Sequence, residues 1–355
     1  MNVELGIIEG YYGRPWSWEA RRAQVTALAP YGYRFYIYAP KADPYLRRRW
    51  QEPHPEAFME EARAFALHCQ ASGVRFGVGL SPFELYRKFD DAARAALSRK
   101  LADLDAIGVQ DLAILFDDMR GDLPNLAASQ VDILHWIAAR TKADRMIACP
   151  TYYSDDPGLD TAFGRRPERY LETFGSALDP AIEIFWTGEE VCSRELSPSH
   201  LARVADQIGR APFIWDNYPV NDGPRMSPYL HLRAFTGRPA AMASHVAAHA
   251  INPALQPGLT RIPAITLADS YRLGADYAYG AAFVRAAEIV LGAELARAVG
   301  RHLSLFNDTG VDRISQDAVA RLRARYAAVD HLCAREIVDW LDGVYAITAE
   351  MIETS

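Results

Sequence analysis

A (β/α)8 barrel, the TIM-barrel form of the α/β class, followed by a C-terminal helical subdomain is the fold predicted from this sequence. Three observations predict it. Short apolar runs rich in β-branched and aromatic residues recur at intervals of about 30 to 40 residues. Helix-like stretches separate them over about 250 residues, the size of one such barrel. No G-x-G-x-x-G follows the first run, so the usual sign of a doubly wound open sheet is missing.

The strand-like runs lie near 3–9 (VELGIIE), 33–39 (YRFYIYA), 74–80 (VRFGVGL), 111–117 (DLAILFD), 145–150 (RMIACP), 181–186 (AIEIFW), 212–216 (PFIWD) and 244–250 (SHVAAHA). The eighth is the least regular. Trp18 to Leu28, Glu56 to Ala71 and Asp91 to Ile107 read as intervening helices; in the third, Leu97, Leu101, Leu104 and Ile107 recur at helical spacing. Gly77-Val78-Gly79 lacks a third glycine and reads as a close-packing device rather than a phosphate loop. Past residue 270 the strand signals stop. Residues 276–304 and 315–350 are Ala-, Leu- and Arg-rich with helical periodicity, and Phe306 to Gly310 reads as the loop between them. The expected division is a catalytic barrel of residues 1–270 and a helical subdomain of residues 271–355.

Composition narrows the function. A net charge of −7 and the lack of a long basic run argue against nucleic acid or an anionic membrane as partner. Arg47-Arg48-Arg49, flanked by Trp50 and Glu52, reads as a solvated helix face. The cysteines (Cys69, Cys149, Cys192, Cys333) are far apart and form no C-x-x-C pair, the wrong pattern for a zinc site or a disulfide scaffold. His245 and His249 have the spacing of a helical metal pair but lack the Glu of H-E-x-x-H, so no metal and no cofactor is expected. Met1 to Leu5 runs straight into a strand with no signal-peptide pattern, and no apolar stretch is long enough to span a bilayer. The expected location is cytoplasmic.

Polar and aromatic residues gather where the strands should end, and in a barrel that face carries the active site. Asp117-Asp118 closes the fourth strand. Two adjacent carboxylates repel, which pushes one pKa up and suits a reaction that needs an acid and an ionised partner. The dipeptide alone also fits solvated loop aspartates or a helix N-cap. Similar ends follow the first strand (Glu9 to Trp16), the second (Ala39 to Asp43), the fifth (Cys149 to Tyr153), the sixth (Trp186 to Gly188), the seventh (Trp215 to Asp222) and the eighth (Asn252-Pro253). Amides and carboxylates suit sugar hydroxyls, and aromatics suit the apolar face of a sugar ring.

These strings resemble glycoside hydrolase family 84, the β-N-acetylglucosaminidases that include the protein O-GlcNAcases. The matching segments are Glu9-Gly10-Tyr11-Tyr12-Gly13-Arg14-Pro15-Trp16, Tyr38-Ala39-Pro40-Lys41, Phe116-Asp117-Asp118, Cys149-Pro150-Thr151 with Tyr153, Trp186-Thr187-Gly188, Trp215-Asp216-Asn217 with Asn221-Asp222, and Asn252-Pro253. The resemblance implies that Asp117 orients the substrate's 2-acetamido group and that Asp118 is general acid and then base. It implies that Tyr153 and Asn217 hold the acetamido group with Trp215 lining its pocket. Lys41, Asp222, Asn252 and the backbone of Gly10 would bind the sugar hydroxyls. The implied reaction is retaining hydrolysis of terminal β-linked N-acetylglucosamine, with the acetamido oxygen as nucleophile and an oxazoline intermediate. Asp117 would be ionised and Asp118 protonated. Expected partners are an N-acetylglucosamine-containing glycoside or glycoprotein, with a homodimer left open. The rival readings are an endo-acting hyaluronidase, a metal-dependent barrel hydrolase and a non-catalytic sugar-binding barrel.

Overall fold

The structure, a computed structural model, describes residues 3–353. Strands β1 (Leu5–Ile8), β2 (Tyr33–Tyr38), β3 (Arg75–Leu80), β4 (Asp111–Leu115), β5 (Arg145–Cys149), β6 (Glu183–Trp186), β7 (Phe213–Asp216) and β8 (His249–Ile251) pair in chain order. All pairs are parallel, and β8 returns to β1 to close the barrel. Around it run helices α1 (Trp18–Leu28), α2 (Glu56–Ala71), α3 (Asp91–Ile107), α4 (Leu126–Ala138), α5 (Gly158–Phe163), α6 (Tyr170–Ala177), α7 (Pro198–Ile208) and α8 (Pro257–Leu273). Local chemistry starts several of them. Ser17, Asp90 and Ser197 each accept a backbone N–H of the first turn of α1, α3 and α7, which satisfies donors the helix itself cannot.

The glycines of β3 are packing devices, as expected. A Cβ on Gly77 would lie 2.7 Å from the Asp111 carbonyl oxygen, and one on Gly79 would lie 2.6 Å from Ala39 Cβ. The N-terminal end of the barrel is closed by charge. Arg75 reaches Glu4 at 2.7 Å and Asp111 at 2.8 Å, while Arg145 reaches Glu4 at 2.8 Å and also pairs with Glu183. Above this network stands an aromatic column. The Arg145 guanidinium lies 4.8 Å from the Phe213 ring centre, Phe213 meets Phe185 at 4.7 Å, and Phe185 meets Trp215 at 5.2 Å. The column links the sealed base to the open, C-terminal end, so Trp215 is fixed from below.

After the barrel come α9 (Tyr279–Leu291), α10 (Ala293–Ser304), α11 (Gln316–Ala327), α12 (Leu332–Leu341) and α13 (Ala349–Glu353). No helix among the described residues is long and apolar enough to cross a membrane. The expected loop at Phe306 to Gly310 is different: Leu305–Thr309 is a π-helical turn that prolongs α10. It persists because buried Phe306 packs on Tyr326 and Trp340, and Asn307 Oδ1 accepts the backbone N–H of Leu232 at 2.7 Å. The eighth strand is also shorter and later than expected. Ala240–Ser244 is a 3-10 helix, and only His249 to Ile251 finds partners on both β7 and β1.

The N-terminus of α8 has no side-chain cap of its own. Glu336 of α12 supplies it, accepting the N–H groups of Gly258 at 2.7 Å and Leu259 at 2.9 Å. Burial pushes this carboxyl up to about 7 against the two N–H bonds. A raised folded-state value means that its stabilisation is present below the unfolded value near 4.5 and is lost as pH rises through about 7. Glu336→Gln should remove that dependence. Urea unfolding should show wild type losing about 3 kcal/mol relative to the variant between the two values. A constant difference across that pH range would show that the carboxyl does not titrate there.

Candidate active site

Loops after seven of the eight strands meet in a cavity of about 210 Å³ at the C-terminal end of the barrel. Its wall includes Gly10, Lys41, Asp117, Asp118, Tyr153, Trp215, Asn217, Asp222 and Asn252, every site residue expected from the sequence.

The centre is an ion triad. Lys41 Nζ hydrogen-bonds Asp117 Oδ2 and lies 3.2 Å from Asp118 Oδ2. One buried ammonium thus serves two adjacent carboxylates and offsets their mutual repulsion. Burial works against the charge of Lys41, but Asp117 and then Asp118 outweigh it and hold the ammonium well above its ordinary value. Tyr12 donates its hydroxyl to Asp118 Oδ2 at 2.9 Å, and Tyr153 donates to Asp118 Oδ1 at 3.3 Å. Asp117 Oδ1 is buried and has no hydrogen-bond partner among the described residues.

Without a ligand, the Asp118 carboxyl is held down. Burial pushes its carboxyl up, but Lys41 and then Arg47 outweigh this, and it lies below the ordinary aspartate range. Asp118 is therefore ionised in the ligand-free protein. The raised carboxyl is Asp222 instead. Burial carries it up to about 7, opposed by the Tyr12 N–H and reinforced by the Asp118 charge. Its Oδ2 accepts that N–H at 2.8 Å.

The far wall is an amide network. Asn252 Oδ1 accepts the Gly10 N–H at 3.1 Å, and Asn252 Nδ2 donates to Asn217 Oδ1 at 2.9 Å. The same oxygen accepts from Trp215 Nε1 at 3.0 Å, and Asn217 Nδ2 donates to the Val191 carbonyl at 2.7 Å. Asn217 is thus engaged with protein at both ends, and Trp215 lines the cavity with its indole N–H satisfied. Glu9 anchors the first loop from behind. It is fully buried and holds Arg21 through two contacts, at 2.6 and 3.0 Å. It also accepts from Tyr11 and Tyr36.

Several lining residues carried no sequence-level signal: Val191, Cys192, Val220 and Ile352 are small or aliphatic, with no distinctive pattern. Tyr12 stood in a conspicuous aromatic string but received no role. Tyr152 packs, donating to the Gly164 carbonyl at 2.6 Å. Trp186 is core and donates to His200. Cys149 is buried on β5, as expected, and also lines the cavity. His249 bonds Asp216 at 3.0 Å and Tyr271 at 2.9 Å, while His245 ends the 3-10 turn before β8. No group of three or more His, Cys, Asp or Glu among the described residues is arranged to hold a metal. Arg47 is a correction. It lies in an irregular turn, not on a helix, and is 5% exposed.

The closed parallel barrel, with paired carboxylates just after its fourth strand and a cavity at its C-terminal end, places the chain in the (β/α)8 class. Residues 5–304 match the family model described as beta-N-acetylglucosaminidase, and the chain belongs to that family, glycoside hydrolase family 84. The protein O-GlcNAcases of Rattus norvegicus and Mus musculus are each 29% identical to it over 276 residues, 75% of this chain. The chain spans 30% of the length of those relatives. A mutant of the Thermobaculum terrenum O-GlcNAc hydrolase superposes with a TM-score of 0.79 at 27% identity, covering 95% of this chain and 80% of that one. The structure of CpGH84B superposes at 0.73 with 26% identity, covering 91% and 57%.

Gly10 is required by contact: a Cβ there would lie 1.9 Å from Trp215 Cζ2. Gly10→Ala should displace the indole, shift its fluorescence and weaken sugar binding at least tenfold, an affinity loss of about 1.4 kcal/mol. Unchanged fluorescence and affinity would mean that the loop moves freely to make room.

Proposed function

We propose that the chain is a retaining exo-β-N-acetylglucosaminidase acting on terminal β-linked N-acetylglucosamine of a glycoside or glycoprotein by substrate-assisted catalysis. The observation that carries this reading is Asp117. One of its oxygens is held by Lys41, and the other is buried without a partner in the cavity wall. A buried acceptor with an unused lone pair is costly unless a donor arrives. The N–H of a 2-acetamido group is such a donor.

With that N–H bonded to Asp117, the acetamido oxygen is directed at the anomeric carbon. It attacks, and the bond to the leaving oxygen breaks as Asp118 delivers a proton to it. Fixing an intramolecular nucleophile in this way is worth much of the barrier. The charge that develops on the acetamido nitrogen faces the Asp117 carboxylate. Water then attacks the anomeric carbon of this protonated oxazoline, the bond from that carbon to the acetamido oxygen breaks to restore the amide, and Asp118 accepts a proton from the water. Asp118 is ionised before substrate arrives, so binding must favour its neutral form. A bound sugar does this by excluding water from the carboxyl.

Asp222 and Asn252 line the same cavity as Asp118 and are assigned to the hydroxyls of one terminal sugar, the exo rather than the endo reading. Tyr153 and Trp215 are assigned to the acetamido pocket. Asn217 supports it through Trp215 and Asn252. The same proposal takes residues 1–270 as the catalytic barrel, whose last helix, α8, runs on to Leu273, with Ile352 of α13 adding to the cavity wall.

The test compares 4-nitrophenyl β-N-acetylglucosaminide with the matching β-glucoside, which lacks the acetamido nucleophile. The N-acetyl substrate should turn over at least about a thousandfold faster, given the size of intramolecular effects, and EDTA should leave its rate unchanged. Equal rates on the two substrates would exclude substrate assistance. Loss of activity in EDTA, restored by zinc, would favour a metal-dependent hydrolase.

A further inference from the structure

We infer that Arg47 is a positioning residue for the general acid: its guanidinium fixes the strained backbone of Asp118 and thereby aims the carboxyl at the leaving oxygen. Three observations converge. Asp118 has φ of 55°, in the left-handed region that L residues other than glycine seldom occupy. Strain of this kind persists only where surrounding contacts enforce it. Arg47 Nη2 donates to the Asp118 carbonyl at 3.1 Å, a contact that fixes the same peptide. Arg47 is itself 5% exposed, and its Nε and Nη1 are buried without partners among the described residues. A guanidinium kept buried with two unsatisfied donors is a poor stabilising device. Its place is better explained by what the third nitrogen holds.

The support for Arg47 is also built in. Its N–H bonds the Pro44 carbonyl at 3.2 Å, and its own carbonyl accepts from buried Trp50 at 3.3 Å. The preceding residue, Leu46, accepts the Ser81 N–H at 2.8 Å, which ties the β2 loop to the β3 loop. The Phe83 ring centre lies 5.5 Å from the guanidinium carbon. From the other side, the Met119 sulfur accepts the Glu84 N–H at 3.3 Å and the Arg120 carbonyl accepts the Tyr86 hydroxyl at 2.5 Å, so the chain just after Asp118 is held as well. Arg47 is absent from the cavity wall, so it acts through Asp118 rather than on the sugar.

Its charge has a second effect that a scaffold residue would lack. The charged and titratable groups facing Asp118 are Tyr12 from the β1 loop, Lys41 and Arg47 from the β2 loop, Asp117 just after β4, Cys149 at the end of β5, Tyr153 from the β5 loop and Asp222 from the β7 loop. Within this set Arg47 is second to Lys41 in holding the Asp118 carboxyl down. Its removal raises that carboxyl.

The inference rests on Asp118 being the acid, and the test separates the two. Rates for wild type, Arg47→Ala, Arg47→Lys and Asp118→Asn are measured on N-acetylglucosaminides with a poor alkyl leaving group and with 2,4-dinitrophenolate, across pH. Asp118→Asn should lose far more on the poor leaving group than on the good one; equal losses would overturn the assignment of the acid itself. With that assignment intact, Arg47→Ala should lose about 10- to 100-fold on the poor leaving group and about threefold or less on the good one, part of what a general acid contributes. Its alkaline limb of kcat, which reports the substrate complex in which Asp118 carries the proton, should move up in pH. Arg47→Lys should keep the limb near its wild-type position and recover part of the rate. Uniform losses with an unmoved limb in Arg47→Ala would overturn the inference and make Arg47 structural.

Discussion

The placement of one lysine ammonium against two adjacent carboxylates is the constraint on which this site depends. Asp117 and Asp118 are forced together by the chain, and only a cation fixed between them makes that tolerable in a buried cavity. Lys41 provides it from a neighbouring strand end. The arrangement divides the carboxylates by what remains free. Asp117 keeps one bare buried oxygen, while Asp118 receives two tyrosine hydroxyls and is turned by its unusual backbone. Two residues of one type, adjacent in sequence, thus acquire distinct surroundings and distinct chemistry.

The rest of the fold holds that geometry. Lys41 leaves β2 in a loop fixed by Asp43, which accepts from the Tyr38 hydroxyl, the Tyr45 N–H and His54. The Gly10 loop is fixed by the buried Glu9–Arg21 pair. Trp215 stands on an aromatic column rooted in the ionic base of the barrel. The C-terminal helices join in through Glu336 at the start of α8, and through Trp340 and Ile347, which both donate to Ser227 in the long loop after β7. Ile352 of α13 completes the cavity wall. A change far from the cavity therefore reaches the site through few, identifiable contacts.

Much of this was legible in the sequence because strand ends advertise themselves. Apolar runs that stop at Asp117-Asp118, at Lys41 or at Trp215 to Asn217 give both the strand and the residue it delivers, and seven runs sit within a few residues of the observed strands. The failures have physical causes. β8 is only three residues long and takes its identity from neighbours on both sides, so local propensity could not locate it. The turn at Leu305–Thr309 depends on Phe306 finding Tyr326 and Trp340, a tertiary event. Arg47 looked like part of a surface charge run because its burial comes from Phe83 and the β4 loop, remote in sequence. The low carboxyl of ligand-free Asp118 was not legible for a similar reason: like-charge repulsion is visible in a dipeptide, whereas the lysine that offsets it arrives from another strand.

The most direct test of this account is the titration of Asp118 in the presence and absence of the Lys41 charge. Carbon-detected NMR of protein labelled at the aspartate carboxyl carbons, with Asp118→Asn to assign the signal, would give it for wild type and Lys41→Met. In wild type, Asp118 should titrate below the ordinary aspartate value of 3.8. In Lys41→Met, loss of the ammonium that holds it down should carry the Asp118 carboxyl up, by about 1 unit or more. An Asp118 signal that titrates at the same pH in both proteins would contradict the central role given to the lysine.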